Sequence, residues 1–432
     1  MKRSNFLKLT GLALGASAFP PVFAFDTEKA KKISFASWSD IRQQFLLESG
    51  KVHMSQMLLA TNPTEVREAI DHHRKMLNEN PVEYWENNWI AMEQKMREAA
   101  ARYINSSVDE VALTGSTTMG LGILYTGLKL KAGDEVLMTT HDHFSTERSI
   151  EYAVEKNKAT VRKVVLYEDP ATAKADEMVD ILIKAIKPET RVIAVTWVHS
   201  CTGMKLPIKK FSAAIKAVNA SRSPEKRIYF CVDGVHGFGV ENIDIKDMGC
   251  DFFTAACHKW IFGPRGTGIL FGKKDAWDMM VPTIPSFDKV YAEWLGLIPK
   301  DQLTFGDIFN MGGFHSFENR WALDKAFEFH FKVGKGNIEE RTHELNTMLK
   351  QGLKEIKHIK LYTPVSSELS CGINCFDVDG LKPDEVVKRL HSKNIIATSS
   401  PYRISYARLT PSIINTEEEV KRCISELERI KT

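Results

Sequence analysis

The chain reads Phe252-Phe-Thr-Ala-Ala-Cys-His-Lys-Trp-Ile-Phe-Gly-Pro-Arg-Gly-Thr-Gly-Ile-Leu-Phe271 at the point that decides its fold class. Apolar runs of strand length, Phe252–Ala255 and Gly268–Phe271, enclose Lys259 and a glycine-rich turn. A lysine at the start of such a turn is unusual, because burying an ammonium group costs free energy unless the group is neutralised or used. Formation of a Schiff base is one such use, and a solvated loop lysine is the alternative interpretation.

Strand-like runs and helix-length segments alternate outward from this stretch, from about residue 85 to residue 300. The further predicted strands are Glu110–Leu113, Glu135–Met138, Thr160–Leu166, Val192–Val198 and Ile228–Val232. Helices are predicted between several of them, including Asp176–Ile186 and Lys209–Asn219. This βαβ rhythm predicts an α/β fold in which helices cover both faces of a mostly parallel sheet.

The remaining segments predict how the chain divides. An N-terminal arm is expected at 25–80, and a large domain at 81–314 that opens with an amphipathic helix over Pro81–Ile104. A smaller α+β C-terminal domain is expected at 315–432. Its predicted elements are a long helix Asn319–Glu355, apolar strands near Cys371–Asp377, and helices Pro383–Lys393 and Glu417–Ile430.

Residues 1–24 have the features of an export signal: a cationic start, an apolar run over Leu9–Ala18, and small residues up to Ala24. The start resembles a twin-arginine signal in which Ser4 replaces the second arginine, so the twin-arginine and general secretory routes both stay open. We therefore expect an exported, periplasmic protein, and an uncleaved signal would leave a membrane tether. No later stretch approaches ~20 uninterrupted apolar residues, so no other membrane contact is expected.

Charge and cysteine content exclude other classes. The chain has 432 residues with Lys+Arg 58 and Asp+Glu 55, and removal of the signal takes three basic residues and no acidic one. A mature chain of zero net charge is not expected to bind nucleic acid. The 7 cysteines form no CxxC pair and no disulfide framework, and no metal site is predicted.

Two polar positions follow predicted strands, and each suits one part of a cofactor: one a pyridine nitrogen, the other a phosphate group. Asp233 ends the run Ile228–Val232, where a carboxylate points into the ligand crevice of the sheet and could pair with a protonated pyridine nitrogen. A turn-forming Asp-Gly is the alternative.

The loop Gly115–Thr118 precedes a helix and suits a phosphate group. A plain helix cap is the alternative, and no Gly-x-Gly-x-x-Gly supports a dinucleotide loop.

Two further residues suit a planar ring and a carboxylate. His143 follows another predicted strand and could stack on an aromatic ring. The spacing His141-x-His143 resembles a metal pair, but the pattern supplies no third ligand. Arg408 could bind a substrate carboxylate through two N–H groups. The alternative for His143 is a surface histidine without a ligand, and the alternative for Arg408 is a surface ion pair.

The order of these signals resembles the class V aminotransferase family, whose members use pyridoxal 5′-phosphate (PLP) on fold type I. The resemblance runs from about Asn62 to Lys431 and is strongest to the isopenicillin N epimerase-like and cysteine desulfurase-like branch. The motifs that carry it are Asn80-Pro-Val-Glu-Tyr-Trp85, Thr202-Gly203 before Leu206-Pro207, Asp233-Gly-Val-His236 and His258-Lys259-Trp260.

The resemblance implies a role for each candidate residue. Lys259 would form the Schiff base with PLP and shuttle the proton, with His143 as the second catalytic residue, stacked on the ring. Asp233 would pair with the pyridine nitrogen, and Arg408 would bind the α-carboxylate of an amino acid. The other implied cofactor-binding residues are Ser116, Thr117 and His258 at the phosphate, and Ser200 and His236 near the ring.

The sequence departs from the family pattern at three places. Ala256 stands where family members often have a phosphate-binding serine, and Asp307 where a threonine from the partner subunit is expected. The segment Met54–Ala60 lacks the glycine expected near the substrate.

The resemblance implies an enzyme that acts on an amino acid or a similar amine by epimerase, transaminase or C–S lyase chemistry, as a homodimer. A cysteine desulfurase is one alternative, but it needs a nucleophilic cysteine on a loop, and residues 393–408 contain none. An exported binding protein that kept the fold and lost the chemistry is the other alternative.

Overall fold

The structure, a computed structural model, describes residues 35–430. The predicted export signal at 1–24 lies outside the described residues. The strands are β1 Val52–His53, β2 Val111–Thr114, β3 Glu135–Thr139, β4 Thr160–Val164, β5 Thr190–Thr196, β6 Tyr229–Asp233, β7 Phe252–Ala256, β8 Gly268–Gly272, β9 Ile359–Leu361, β10 Asn374–Val378, β11 Ile395–Ile396, β12 Thr398–Ser399 and β13 Ala407–Leu409. The α-helices are α1 Trp38–Arg42, α2 Thr64–Glu79, α3 Pro81–Ile104, α4 Thr117–Gly127, α5 Phe144–Asn157, α6 Ala175–Lys184, α7 Ile208–Asn219, α8 Ile245–Met248, α9 Lys289–Trp294, α10 Phe305–Phe309, α11 Phe317–Arg320, α12 Leu323–Val333, α13 Lys335–Glu355, α14 Pro383–Ser392 and α15 Glu417–Glu428.

The large sheet has the strand order β2-β8-β7-β6-β5-β3-β4. The neighbours from β7 through β6, β5 and β3 to β4 are parallel, whereas β8 runs antiparallel to both β7 and β2. The predicted α/β class with a mostly parallel sheet is therefore confirmed. Because β2 runs in the same direction as β7, the carboxyl ends of all strands except β8 lie at one edge of the sheet, where ligands bind in open α/β folds.

Burial explains why these strands lack the alternation of apolar and polar residues that is typical of a sheet with one face in water. Every residue of β2, β3, β5, β7 and β8 is buried, since helices cover both faces, and the runs are mostly apolar, with polar residues chiefly at their ends. The edge strand β4 is half-exposed and mixes polar and apolar residues. The apolar runs in the sequence could therefore be recognised as central strands.

A small antiparallel sheet, ordered β12-β13-β10-β9, lies in the C-terminal part of the chain. Helices α13, α14 and α15 cover it through a separate apolar cluster. The N-terminal arm adds β1, which pairs in parallel with β11. No helix among residues 35–430 has the length and apolar content needed to cross a membrane.

The predicted long helix over Asn319–Glu355 is wrong as a single element. The structure divides it into α11, α12 and α13. Gly334 separates the last two with φ +93°, a conformation that glycine adopts without the steric cost that other residues meet. The chain can therefore change direction between α12, which packs on the large domain's helices, and α13, which covers the small sheet.

Candidate active site

A cavity opens at the edge where the parallel strands of the large sheet end, and Arg408 of the small sheet closes one side. All nine residues predicted to bind cofactor or substrate line this cavity. They are Ser116, Thr117, His143, Ser200, Asp233, His236, His258, Lys259 and Arg408. The structure therefore brings the whole predicted set together, from positions almost 300 residues apart in the sequence.

Lys259 lies in the turn that follows β7. The turn is held by a bond from the backbone N–H of Gly263 to the carbonyl of Cys257, at 2.8 Å. Nζ of Lys259 lies 3.4 Å from Nε2 of His236. Burial lowers the pKa of Lys259 to about 8, and nearby Asp233 only partly opposes that shift. Within the described chain, Lys259 has no ion-pair partner inside 4.0 Å, so its ammonium group is buried without direct neutralisation.

Asp233 ends β6 and is almost completely buried. Its Oδ1 accepts the backbone N–H of Val235 at 3.1 Å, and its Oδ2 accepts the hydroxyl of Thr146 at 3.4 Å. Burial raises the pKa of Asp233 to about 6. None of the described cationic side chains forms an ion pair with it within 4.0 Å. A buried carboxylate with two weak neutral partners suits a protonated ring nitrogen, which would restore its charge balance.

His143 caps the N-terminus of α5. Its Nδ1 accepts the backbone N–H of Ser145 at 3.2 Å, which fixes the orientation of the imidazole ring. Burial lowers the pKa of His143, and the charges of Lys259 and Arg408 lower it further. The ring is therefore neutral near pH 7, and its single proton is on Nε2, because Nδ1 acts as an acceptor.

The loop before α4 presents the start of this helix to the cavity. Ser116 is the N-cap, and its hydroxyl accepts the N–H of Met119 at 3.2 Å. The backbone N–H of Ala256 donates to Thr117 Oγ1 at 2.9 Å, which leaves the hydroxyl proton of Thr117 free to donate to an anion. Ala256 thus supports through its backbone the hydroxyl that the family resemblance assigns to the phosphate, although it has no hydroxyl of its own.

Two histidines complete the cofactor side of the cavity. Nδ1 of His258 is buried and has no hydrogen-bond partner among the described residues, which is the environment of a nitrogen that awaits a ligand atom. Nδ1 of His236 accepts the indole N–H of Trp260 at 3.4 Å. The unpaired nitrogen, the exposed helix start and the unneutralised Asp233 and Lys259 fit the phosphate, ring nitrogen and aldehyde of PLP.

Arg408 lies on β13 and is 2% exposed. Its Nη1 donates to the carbonyl of Ser200 at 3.0 Å, and its Nη2 donates to the carbonyl of Ser399 at 2.8 Å. Nε donates to Thr398 Oγ1 at 3.2 Å. No carboxylate of the described chain pairs with it within 4.0 Å, so one N–H on each terminal nitrogen stays free for an anionic ligand.

Sequence reasoning missed two residues that hold the site. Asp142 is buried between strands: its Oδ2 accepts the N–H and the hydroxyl of Thr139 at 2.7 and 2.9 Å, and its Oδ1 accepts the N–H of Thr196 at 2.7 Å. It therefore ties the carboxyl ends of β3 and β5 together. The other is Tyr402, whose hydroxyl lies 2.8 Å from Ser200 Oγ. Asp142 directly precedes the singled-out His143, whereas no motif marks Tyr402.

The departures from the family pattern have structural explanations at two positions. Asp307 is completely buried and pairs with Nη1 of Arg97 at 2.8 Å, so its side chain points into the folded chain. A Cβ on Gly306 would lie 2.1 Å from the Arg97 guanidinium, so glycine is required there. In the segment Met54–Ala60, Met57 and Leu58 line the cavity, which makes this wall apolar.

Comparisons with known proteins extend these observations. Residues 60–421 match the family model for aminotransferase class V. The isopenicillin N epimerase of Streptomyces clavuligerus is 24% identical over 92% of this chain and 99% of its own length. A probable cysteine desulfurase of Halalkalibacterium halodurans is 24% identical over 88% of this chain and 93% of its own.

Solved structures share the fold. The cystine C–S lyase C-DES, in complex with its product cysteine persulfide, has a TM-score of 0.79 and 21% identity, over 89% of this chain and 99% of that one. The Escherichia coli cysteine desulfurase CsdA has a TM-score of 0.75 and 19% identity, over 92% and 98%. The predicted fold and the predicted cofactor, PLP, are both confirmed. This chain belongs to the class V aminotransferase family.

Proposed function

We propose that this protein is a PLP-dependent enzyme that moves the proton on Cα of an α-amino acid, with Lys259 as the base. The observation that carries this proposal is that three charged groups, the buried Asp233 and Arg408 and the partly buried Lys259, face one cavity without direct ion-pair partners in the described chain. When bound, PLP supplies an electron sink for the charge that develops at Cα. Asp233 would keep the ring nitrogen protonated, which makes that sink effective.

Arg408 would orient the substrate. Its two free N–H groups match a carboxylate, and its other donors are already anchored on backbone and hydroxyl oxygens. A guanidinium held in this way loses little conformational freedom when it binds the α-carboxylate. Fixing that carboxylate limits rotation of the substrate and places the Cα–H bond against Lys259.

Lys259 can act as the base near neutral pH. A pKa of about 8, lowered by burial, leaves a useful fraction of the amine unprotonated, whereas an ordinary lysine would be almost fully charged. His236 lies within contact of Nζ and is kept neutral, because burial lowers its pKa well below the usual value. The neutral ring therefore adds no positive charge beside the lysine.

The tautomer of His143 favours chemistry with one base. Epimerisation by two bases needs a second acceptor on the face of Cα opposite Lys259. His143 cannot supply it, because Nδ1 already accepts a backbone N–H and Nε2 carries the proton. Transamination and β-elimination, which includes C–S lyase chemistry, need only Lys259. We therefore favour these two reactions over epimerisation.

The cysteines argue against a desulfurase that uses a cysteine nucleophile. Every cysteine of the described chain is buried, and none lines the cavity. Burial raises the pKa of Cys201 to about 11, and those of Cys371 and Cys375 to about 12. A thiol in such surroundings is neither ionised nor able to reach a substrate sulfur atom.

The cavity walls indicate a substrate with an uncharged side chain. Lys259 and Arg408 are the cations among the described lining residues, and both already have a role. The apolar lining residues are Met57, Leu58, Leu121, Val235 and Pro401, and the hydroxyl groups of Thr118, Ser145 and Thr196 carry no charge. A distal carboxylate would lose its hydration here without gaining a partner, which costs free energy. An acidic amino acid should therefore be a poor substrate.

We further propose that the enzyme is an exported homodimer. The N-terminal features described above support export to the periplasm. Phe144 and Ile404 are apolar and exposed, and they lie close in sequence to the lining residues His143 and Pro401. A second subunit that covered them would remove this apolar surface from water. A non-catalytic binding protein stays the alternative, but it would have no need for both Lys259 and Asp233 at this cavity.

The test is spectroscopic. The purified protein should show a visible cofactor band, and borohydride should fix a pyridoxyl group on Lys259, as peptide mapping would establish. Amino acids should shift the band and release a keto acid, ammonia or both, without interconversion of enantiomers. The Lys259→Ala variant, as control, should bind PLP without fixation or turnover. A wild-type protein that stays colourless with added PLP would rule out the proposal, and racemisation would restore the epimerase.

A further inference from the structure

We infer that Tyr402 is a positioning residue, which holds the carboxylate-binding Arg408 in its working position through Ser200 and contacts the imidazole of His143 with its own ring. This inference rests on the proposed function, because it assigns Tyr402 to the same site. Tyr402 lies in the segment 400–406, which connects β12 with β13. It belongs to no motif in the sequence, and its contacts are visible only in the folded chain.

A chain of hydrogen bonds leads from Tyr402 to Arg408. The hydroxyl of Tyr402 lies 2.8 Å from Ser200 Oγ, and the carbonyl of the same Ser200 accepts Nη1 of Arg408 at 3.0 Å. Ser200 therefore receives one contact on its side chain and one on its backbone. Its position decides where Nη1 of Arg408 points, and hence where the free N–H groups meet a carboxylate.

The ring of Tyr402 contacts the opposite wall of the cavity. Its centroid lies 5.9 Å from that of the His143 imidazole, at an interplanar angle of 78°, which is the edge-to-face arrangement of attractive ring pairs. His143 starts a helix on the large sheet, whereas Tyr402 lies beside the small sheet. One side chain thus connects the group at the cofactor ring with the group at the carboxylate.

The hydroxyl of Tyr402 can be removed without removing the anchors of its own segment. Ser400 closes the segment by itself: its carbonyl accepts Ser405 Oγ at 2.7 Å and the N–H of Tyr402 at 3.0 Å, and its Oγ accepts the N–H of Tyr406 at 2.9 Å. None of these bonds uses the phenol. A Tyr402→Phe variant should therefore fold and keep the segment in place. A loss of carboxylate affinity in this variant then reports on the contact with Ser200.

The experiment compares Tyr402→Phe, Ser200→Ala and the double variant as holoenzymes. Propionate serves as the probe, since it offers a carboxylate but no amine to react, and its Kd follows from the shift of the visible cofactor band. Loss of one hydrogen bond predicts that each single variant raises the Kd for propionate and the KM for an amino acid about fivefold to tenfold. For Tyr402→Phe, the value of kcat and the affinity for PLP should change by less than about twofold. The double variant should be no worse than either single one.

Ser405→Ala is the matched control, because it removes a hydrogen bond of the same segment but none that reaches Ser200. It should leave the Kd for propionate unchanged. The inference is overturned if Tyr402→Phe binds propionate as the wild type does, or if the wild-type holoenzyme does not bind propionate. It is also overturned if the increase in Kd in the double variant equals the product of the increases in the two single variants. Propionate binding that weakens as expected in an enzyme without turnover would instead support the inference and refute the proposed function.

Discussion

Nζ of Lys259 lies 3.4 Å from Nε2 of His236 at the edge of the sheet where Asp233 ends its strand, and the imidazole is buried while the lysine is partly buried. Neither neighbour neutralises the ammonium group by direct contact, so the charge of Lys259 costs stability in the protein without cofactor. This cost can be measured through its pH dependence.

Replacing Lys259 with methionine should stabilise the cofactor-free protein at pH 7. The pKa of Lys259 is lowered from 10.5 to about 8, so between these values the unfolded state binds more protons than the folded state, and stability rises with pH. The variant escapes a penalty on the order of 2–3 kcal/mol below pH 8, and its advantage should disappear above about pH 10.5. Urea unfolding at several pH values measures this. An advantage that does not change with pH would contradict the assigned cause.

Arg408→Lys should weaken substrate binding while the cofactor stays in place. A lysine cannot keep the anchors on Ser200 and Ser399 and also offer two parallel N–H groups. We expect the KM for an amino acid to rise about 10–100-fold, since charged hydrogen bonds contribute about 1.5–3 kcal/mol. Steady-state kinetics measure the KM, and the visible spectrum shows whether the cofactor stays bound. Arg403→Lys, at an exposed position nearby, is the control and should behave as the wild type.

Asp307→Thr introduces the residue that the family pattern predicts at this position, and it should destabilise this protein. Arg97 is buried, and Asp307 is its partner at 2.8 Å, with Asp288 further away at 3.3 Å. Removing Asp307 leaves the buried guanidinium with only its longer contact to Asp288, and loss of one partner of a buried pair costs up to about 3–5 kcal/mol. The free energy of unfolding from urea denaturation measures this. Unfolding at wild-type denaturant concentrations would show that Asp288 alone can neutralise Arg97.

Much of the site could be predicted because its residues follow apolar strands in the chain. Lys259 and Asp233 each come at or just after a continuous buried run, and in a parallel sheet such positions meet at one edge. Tyr402 could not be found in this way, since its partner Ser200 is 202 residues away and the contact depends on how the small sheet packs against the large one. The break at Gly334 was missed because the apolar spacing continues across it, although the glycine itself marked the position.

A single cation at the mouth of the cavity should widen the substrate range. Leu58 lines the cavity and is 57% exposed, so an arginine there can stay hydrated and still reach a distal carboxylate. We expect Leu58→Arg to raise kcat/KM for L-glutamate relative to L-methionine about twofold to fivefold, which corresponds to roughly 0.4–1 kcal/mol, the size of one exposed ion pair. Leu59→Arg is the matched control, because Leu59 is 50% exposed but does not line the cavity. If both variants gain the same preference for L-glutamate over L-methionine, the charge acts at long range. A wild-type enzyme that already prefers L-glutamate would contradict the proposed substrate class.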